Sequence, residues 1–313
     1  MNATPKPRRP PATARAHHHV PAFYLAGFTL SGDRADRLWV WDRKRDKCWR
    51  GKPDDIAHQR DFYRVDVAGV EPDAVEKAFA RLETQAAPVL RKIARDRVLH
   101  KGEDLDTLLN FVALQITRVP QFRDFIEEKL TDLSKHSAKI ALSYPAYFEQ
   151  IVAKMRLQGK NMPDSITRES LLEFLADESR YTVEIPRAAS IEKMLEGADA
   201  LLPTLARRSW VLLVATREND DFICSDQPVI LVPTKPNPPP FLGFGTADVV
   251  AMPLNRQMAL WGLYERDGDS RVVEAPSVSV GLFNQLMLDF SEGCIYSARE
   301  TFLCLRSDAQ DSA

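Results

Sequence analysis

The chain has 313 residues, of which 44% are apolar and 27% are charged, a composition typical of a globular protein with a substantial core. The formal net charge is −2, but the first sixteen residues carry four bases and no acid, which leaves 38 bases and 44 acids in the remainder. Affinity for nucleic acid depends largely on clustered Lys and Arg. The acidic body therefore excludes a general polyanion binder, and any contact with nucleic acid has to be local.

The four cysteines are scattered, without the CxxC pairs or regular spacing of a disulfide scaffold or a zinc knuckle. The N-terminus lacks the apolar segment of a secretory signal, and no run of eighteen apolar residues occurs anywhere. We therefore expect a cytoplasmic protein with reduced thiols and no membrane contact. Residues 1–16, rich in Pro, Arg and Ala, are interpreted as a disordered basic arm.

Hydrophobic periodicity changes twice along the chain. Alternating side chains predict a strand at 37–43 and a hairpin partner in "DKCWRG" at 46–51. From Pro72 the spacing predicts a long amphipathic helix, and residues 103–122 predict a helix that is buried on most sides and kinks or stops near Pro120. Further helices are predicted at about 121–138, 145–158, 167–177, 188–206 and 277–290.

The C-terminal third is predicted to be mostly β-structure. Strands are expected within 209–233, in "DVVAMPLN" and "QMALWGLY", and in "CIYSA" near the end. The GxG of the Pro-rich loop at 235–246 has no following helix and favours a surface loop over a phosphate site. The fold class predicted is α+β, with a β-rich N-terminal unit, a central helical bundle and a mostly antiparallel C-terminal sheet.

The predicted domain organisation has one α+β domain between an arm and a tail. Its parts are a β-rich segment at 17–66, a helical segment at 72–206, a β-rich segment at 207–300 and a tail at 301–313.

Residues 17–28, "HHHVPAFYLAGF", match a His-His-x-Val-Pro-x-x-Tyr-Leu-x-x-Phe pattern. With the "ICSDQPV" segment at 223–229, this pattern resembles an uncharacterised bacterial and phage family, a domain-of-unknown-function group. The similarity continues through "VWDR", "DFY", "QITRVP", "MPLN" and "LFNQL" and covers nearly all of 17–298. The resemblance implies that His19, where an aromatic residue is more common, is the least essential histidine. It also implies that Gln59 stands where an acidic residue is common, so a catalytic acid there would be missing.

The three histidines cannot all bind one metal ion. In an extended segment His17 and His19 point to one side and His18 to the other. A divalent metal held by imidazole usually needs carboxylates as well. Candidate carboxylates are Asp42, Glu76, Glu83 and Asp226. The predicted metal ligands are His18, Asp42, Glu83 and Asp226, and Mg²⁺ or Mn²⁺ is favoured over Zn²⁺.

Two predicted helices carry polar groups of complementary charge. Glu76 and Glu83 lie two turns apart on one edge of a helix, and Gln115 and Arg118 lie in an otherwise apolar one. A buried Arg needs a carboxylate partner because its guanidinium does not deprotonate. We therefore expect Arg118 to pair with Glu83 or Glu76. This pair is either a structural ion pair or, if it faces a cleft, a clamp for a phosphate or carboxylate substrate.

Two more polar positions follow in the C-terminal part. Asp226 follows a predicted strand. It is either a functional group that a rigid scaffold presents, or a turn residue whose side chain bonds the backbone. Ser225 lacks the GxSxG elbow of a nucleophile. Asn284, in an apolar helix, either bonds a neighbouring backbone group or completes the site.

Three hypotheses follow. The first is a metal-assisted phosphodiester hydrolase, such as a nuclease in a defence or toxin system, with His17, His18 and Arg118 catalytic and Arg118, Gln115 and Asn284 binding substrate. The second is a non-catalytic binding or sensor protein in which the same polar residues form a structural network. The third is a metal-free hydrolase or transferase of a small molecule or nucleotide.

Overall fold

The structure is a computed structural model that describes residues 15–160, 162–163, 165–233, 243–264 and 271–305. Most of the predicted basic arm, the first part of the Pro-rich loop and the end of the predicted tail lie outside these ranges. Within them, no helix combines the length and the apolarity needed to cross a membrane.

The chain forms two compact units. The first takes the residues up to Pro120 and those from Met194 onward, and the second takes Gln121–Lys193. The sequence predicted one domain over 17–300, and the structure divides that range at the second unit.

The helices of the described residues lie close to the predicted positions, except for the first, a four-residue helix in the segment that was predicted to be β-rich. They are α1 (Ala22–Leu25), α2 (Ala74–Asp96), α3 (Glu103–Thr117), α4 (Pro120–Ser143), α5 (Pro145–Leu157), α6 (Arg168–Ala176), α7 (Arg187–Ala206) and α8 (Ser277–Phe290). Helix α3 is buried along most of its length and ends just before Pro120, as predicted. The proline instead begins the next helix, where its missing N–H is not needed.

The second unit is helical and carries a cluster of charged side chains around Glu178. Glu178 accepts hydrogen bonds from Lys135 at 2.7 Å and from Lys139 at 3.0 Å. These two ammonium groups lower the pKa of Glu178 to about 2. Thr167 caps α6 in a reciprocal arrangement with Ser170, which satisfies two backbone N–H groups at the helix start.

Three sheets are described in the first unit. Their strands are β1 (Ala16–His18), β2 (Leu38–Asp42), β3 (Lys47–Gly51), β4 (His58–Arg60), β5 (Ser209–Ala215), β6 (Cys224–Ser225), β7 (Ile230–Val232), β8 (Val249–Asn255), β9 (Met258–Leu263), β10 (Arg271–Ala275) and β11 (Cys294–Ser297). The sheet orders are β1-β4, β3-β2-β11-β6 and β10-β5-β9-β8-β7. The predicted β2–β3 hairpin is confirmed, with Trp41 opposite Cys48.

The α+β fold class is confirmed, with one departure from antiparallel pairing. Strand β10, which the sequence analysis did not predict, pairs in parallel with β5 at the edge of the five-stranded sheet. Helix α8 packs its buried Phe283 and Met287 into a core shared with Ile230 and Ile295, residues from two different sheets. The C-terminal helix thereby joins the two larger sheets.

Candidate functional site

The histidine segment forms a two-stranded sheet in which β1 pairs antiparallel with β4. His17 and His19 are buried and His18 is half-buried, as the predicted alternation of side chains requires. The His18 ring lies edge-on to the ring of His58, with 5.2 Å between centroids. His18 Nε2 lies 3.3 Å from the carbonyl oxygen of Asp54.

His17 positions the segment that contains Tyr63. The backbone N–H of Tyr63 donates to His17 Nδ1 at 2.8 Å, and the two rings stack with centroids 5.8 Å apart. The Tyr63 hydroxyl donates to the carbonyl oxygen of Arg118. Burial raises the pKa of Tyr63, so the phenol stays a hydrogen-bond donor at neutral pH. The His17 ring thus contributes to the structure of this region.

Arg118 forms the carboxylate pair that the sequence predicted. Its side chain is fully buried, and Nη1 donates to Glu83 Oε1 at 2.7 Å. Nη2 donates to the carbonyl oxygen of His18, and the guanidinium lies 5.0 Å from the centroid of the Phe79 ring. Because both Nη groups are bound within the protein, the contacts favour the structural interpretation of Arg118 over an open substrate clamp.

Glu76 lies two helical turns before Glu83 on α2. Burial, opposed in part by the charge of Arg118 and reinforced by that of Glu83, raises the pKa of Glu76 from 4.5 to about 7. Its Oε2 has no hydrogen-bond partner among the described residues. A carboxyl group with this pKa exchanges protons readily at neutral pH, which is typical of an acid–base group.

Several other buried polar atoms near Arg118 lack protein partners. Among the described residues, no hydrogen bond reaches His19 Nδ1, Arg118 Nε or either amide atom of Gln115. Gln115 is fully buried and lies one helical turn before Arg118 on α3. Leaving a buried polar group unsatisfied costs about 1–3 kcal/mol, so these atoms are suited to binding a polar group.

These residues are called the Arg118 cluster below. Its members are His17, His18, His19, His58, Tyr63, Glu76, Glu83, Gln115 and Arg118. The cluster links β1 and β4 to α2 and α3.

The remaining residues of the opening motif belong to the core. Tyr24 is buried, and its hydroxyl donates to the carbonyl oxygen of Pro253 and contacts Cys224 Sγ at 3.7 Å. Leu25 and Phe28 are fully buried. The motif that carries the family resemblance therefore serves both the Arg118 cluster and the packing of the first unit.

Asp42 and Asp226 lie on a different sheet, beside Cys294. Asp42, at the end of β2, accepts from the backbone N–H and from Nη1 of Arg45, each at 3.0 Å. The backbone N–H of Asp226 donates to the carbonyl oxygen of Cys294 at 2.9 Å. Burial and the charges of Asp226 and Asp42 raise the pKa of Cys294 to about 11.

The four predicted metal ligands therefore fall into two pairs. His18 and Glu83 contact Arg118, whereas Asp42 and Asp226 flank β11. In the part of the chain that the structure describes, no three His, Cys, Asp or Glu side chains are placed to hold a metal ion. The structure thus does not assemble the predicted ligand set, because its acids come from different layers of the fold.

The hydrogen bonds of Asn284 favour a structural role over the predicted role in substrate binding. Its Oδ1 accepts from the backbone N–H of Ile223 at 3.0 Å. Its Nδ2 donates to the carbonyl oxygens of Asp221 and Leu303, each at 2.9 Å. The buried amide thus bonds three backbone groups in two segments, which is the other possibility that the sequence left open.

The raised pKa of Glu76 predicts a pH dependence of stability. The folded protein holds the Glu76 proton more tightly than the unfolded chain does. Protonated Glu76 therefore adds its full contribution to the free energy of unfolding below pH 4.5, and this contribution is lost as pH rises through about 7. Burial lowers the pKa of His19 to about 3, so this residue lowers the free energy of unfolding as pH falls below 6.5. We therefore expect the difference between wild type and Glu76→Gln to isolate the Glu76 contribution.

Urea denaturation at pH 5, 6, 7 and 8 measures this difference. The free energy of unfolding of the wild type, minus that of Glu76→Gln, should fall as the pH rises across the series. A difference that is independent of pH would contradict the assigned pKa.

The fold and the cluster together define an α+β protein with a buried polar site between a small sheet and two helices. The chain belongs to the family described as "Protein of unknown function (DUF4238)", whose profile matches residues 16–301. The resemblance drawn from the sequence motifs is thereby confirmed. No curated protein and no solved structure shows a match to the chain.

Proposed function

We propose that this protein is a hydrolase or transferase of a small polar molecule, and that it uses acid–base chemistry at the Arg118 cluster without a metal ion. The observation that carries the proposal is a set of buried polar atoms without protein partners among the described residues, on Arg118, Glu76, Gln115 and His19. The charge of Arg118 acts on both Glu76 and His19, and Gln115 lies three residues before Arg118. A substrate with matching donors and acceptors removes the cost of leaving these atoms unsatisfied.

Glu76 and His18 are the proposed proton carriers. At neutral pH Glu76 holds comparable amounts of its acid and its carboxylate, so it can accept a proton from an attacking hydroxyl group and return it to a leaving group. Burial and the neighbouring His58 lower the pKa of His18, which keeps that ring neutral and able to accept a proton. Arg118 is a positioning residue, since its Nη groups hold Glu83 and the backbone of His18.

The charge balance of the cluster narrows the substrate class. The charge of Glu83 compensates that of Arg118 at 2.7 Å, so little positive charge is left for a dianion at the reacting centre. The amide of Gln115 offers both donors and an acceptor. These groups suit an uncharged carbonyl-type reacting group, such as an ester or an amide, better than a phosphate dianion.

The test is hydrolysis of p-nitrophenyl acetate, p-nitrophenyl phosphate and bis(p-nitrophenyl) phosphate, with EDTA and with added Mg²⁺ or Mn²⁺. We expect turnover of the acetate in EDTA, lowered about 100-fold or more by Glu76→Gln because general acid–base groups contribute this much. Glu149→Gln, an exposed change in the second unit, is the control and should leave the rate unchanged. Hydrolysis unaffected by Glu76→Gln would overturn the proposal.

The same assay separates the alternatives from the sequence analysis. Turnover of the phosphodiester only with added metal would favour the metal-assisted hydrolase, which stays a prediction. Absence of turnover, with Arg118 cluster variants that only destabilise the fold, would favour the binding or sensor protein. A cytoplasmic location and a local contact with nucleic acid also stay predictions from composition.

A further inference from the structure

A concave site lies in the first unit and shares no residue with the Arg118 cluster. It is a cavity of about 460 Å³ between the segment that follows the histidine motif, the C-terminal half of α2 and the turn that joins β8 to β9. This volume is within the range of small-molecule sites in proteins, about 300–1,000 Å³.

Four arginines and no acidic residue line this cavity. They are Arg34, Arg91, Arg97 and Arg256. Arg34 and Arg256 are paired with acids outside the cavity, Arg34 with Asp54 and Arg256 with Asp221 at 2.8 Å.

Arg91 and Arg97 differ from the other two because they have no ion pair with any residue that the structure describes. Both are exposed; Arg91 lies in the C-terminal part of α2, and Arg97 is the residue that caps the end of this helix. The cavity thus presents about two uncompensated positive charges on planar guanidinium groups. Such groups bind phosphate in a bidentate way.

Most of the remaining lining is apolar. It includes Phe23, Leu30, Leu90, Leu254 and Met258. A small inorganic anion would leave this apolar surface uncovered. A ligand with an apolar or planar body would bury it and would gain about 25 cal/mol for each Å² of apolar area removed from water.

We infer that this cavity binds a phosphomonoester with a planar or apolar body, of the nucleoside monophosphate class. The phosphate dianion matches the two uncompensated charges of Arg91 and Arg97, and the body packs on Phe23, Leu90 and Met258. Arg34 and Arg256, held by their own carboxylates, complete the rim. The inference is independent of the chemistry proposed for the Arg118 cluster.

Calorimetric titration of the full chain with the four ribonucleoside 5′-monophosphates and p-nitrophenyl phosphate tests the inference. We expect at least one phosphomonoester to bind, and the matched nucleoside or p-nitrophenol, which lacks the phosphate, to bind at least tenfold more weakly. The double variant Arg91→Ala/Arg97→Ala should weaken binding about 100-fold, since each hydrogen bond to a charged group contributes about tenfold or more.

Arg95→Ala is the matched control, because Arg95 is an exposed arginine of the same helix that pairs with Asp96 and does not line the cavity. It should leave affinity unchanged, and thermal melting should show that both variants are folded. The inference is overturned if no phosphomonoester of the set binds at millimolar concentration. It is also overturned if the double variant binds as tightly as wild type, or if Arg95→Ala weakens binding as much.

Discussion

Arg118→Ala is expected to lower the free energy of unfolding by about 3–5 kcal/mol, as removal of one partner from a buried ion pair does. The substitution leaves Glu83 without its 2.7 Å partner and the carbonyl oxygen of His18 without its donor. It also removes the guanidinium that packs against Phe79. Equilibrium unfolding in urea, with the midpoint and slope fitted together, measures the change.

Two further variants test whether the loss of stability comes from the contacts of Arg118 with Glu83 and His18. Arg118→Lys keeps the charge but cannot reach Glu83 and His18 with one planar fork, so an intermediate loss is expected. Arg64→Ala removes an exposed pair with Asp66 and should cost less than about 1 kcal/mol. If Arg118→Ala were no more destabilising than Arg64→Ala, the cluster would not hold β1 and β4 to the helices.

The second large effect is expected for Asn284→Leu, with a loss of about 3 kcal/mol or more in the free energy of unfolding. The change leaves two buried backbone groups, on Ile223 and Asp221, without their partner, each at about 1–3 kcal/mol, and it removes a part-buried hydrogen bond to Leu303. Leucine has the same branching and the same number of side-chain heavy atoms as asparagine and is larger, so none of the loss comes from a cavity. Thermal and urea unfolding both report it.

Gln285→Leu is the control for Asn284→Leu. The Gln285 amide donates to the Asp289 carboxylate at an exposed position, so its loss should cost less than about 1 kcal/mol. A role of Asn284 in substrate binding predicts the opposite pattern, a stable variant without activity.

The helices and the Arg118–Glu83 pair could be predicted because local rules determine them. The apolar period of α2 places Glu76 and Glu83 on one edge, and a guanidinium in the apolar helix α3 has to find a carboxylate. Alternation along β1 likewise determines which histidines are buried. In each case the decisive contact follows from spacing within one or two adjacent elements.

Contacts between distant segments could not be predicted in this way. Sequence shows that Asp42 and Asp226 end or follow strands, but not that both lie on the sheet that contains β11 rather than with His18. The partners of Asn284 come from residues 19 to 63 positions away. The arginine-lined cavity draws on three separate segments, so no motif signals it.

Strand β10 escaped prediction for a different reason. "RVVEA" is short and largely exposed, because it lies at the edge of its sheet. Such a strand lacks the sustained apolar alternation on which strand prediction depends. Its parallel pairing with β5 is a property of the whole sheet.

The four-stranded sheet has a consequence for biosynthesis. Its central pair joins β2, near the beginning of the chain, to β11, about 250 residues later, with Val40 opposite Tyr296. One edge of the β2–β3 hairpin therefore stays unpaired until about 250 further residues have been synthesised, because β11 pairs along that edge. Pairing over so long a sequence separation is slow compared with local contacts, and we expect the open edge of β2 to be a point at which the nascent chain is exposed to aggregation.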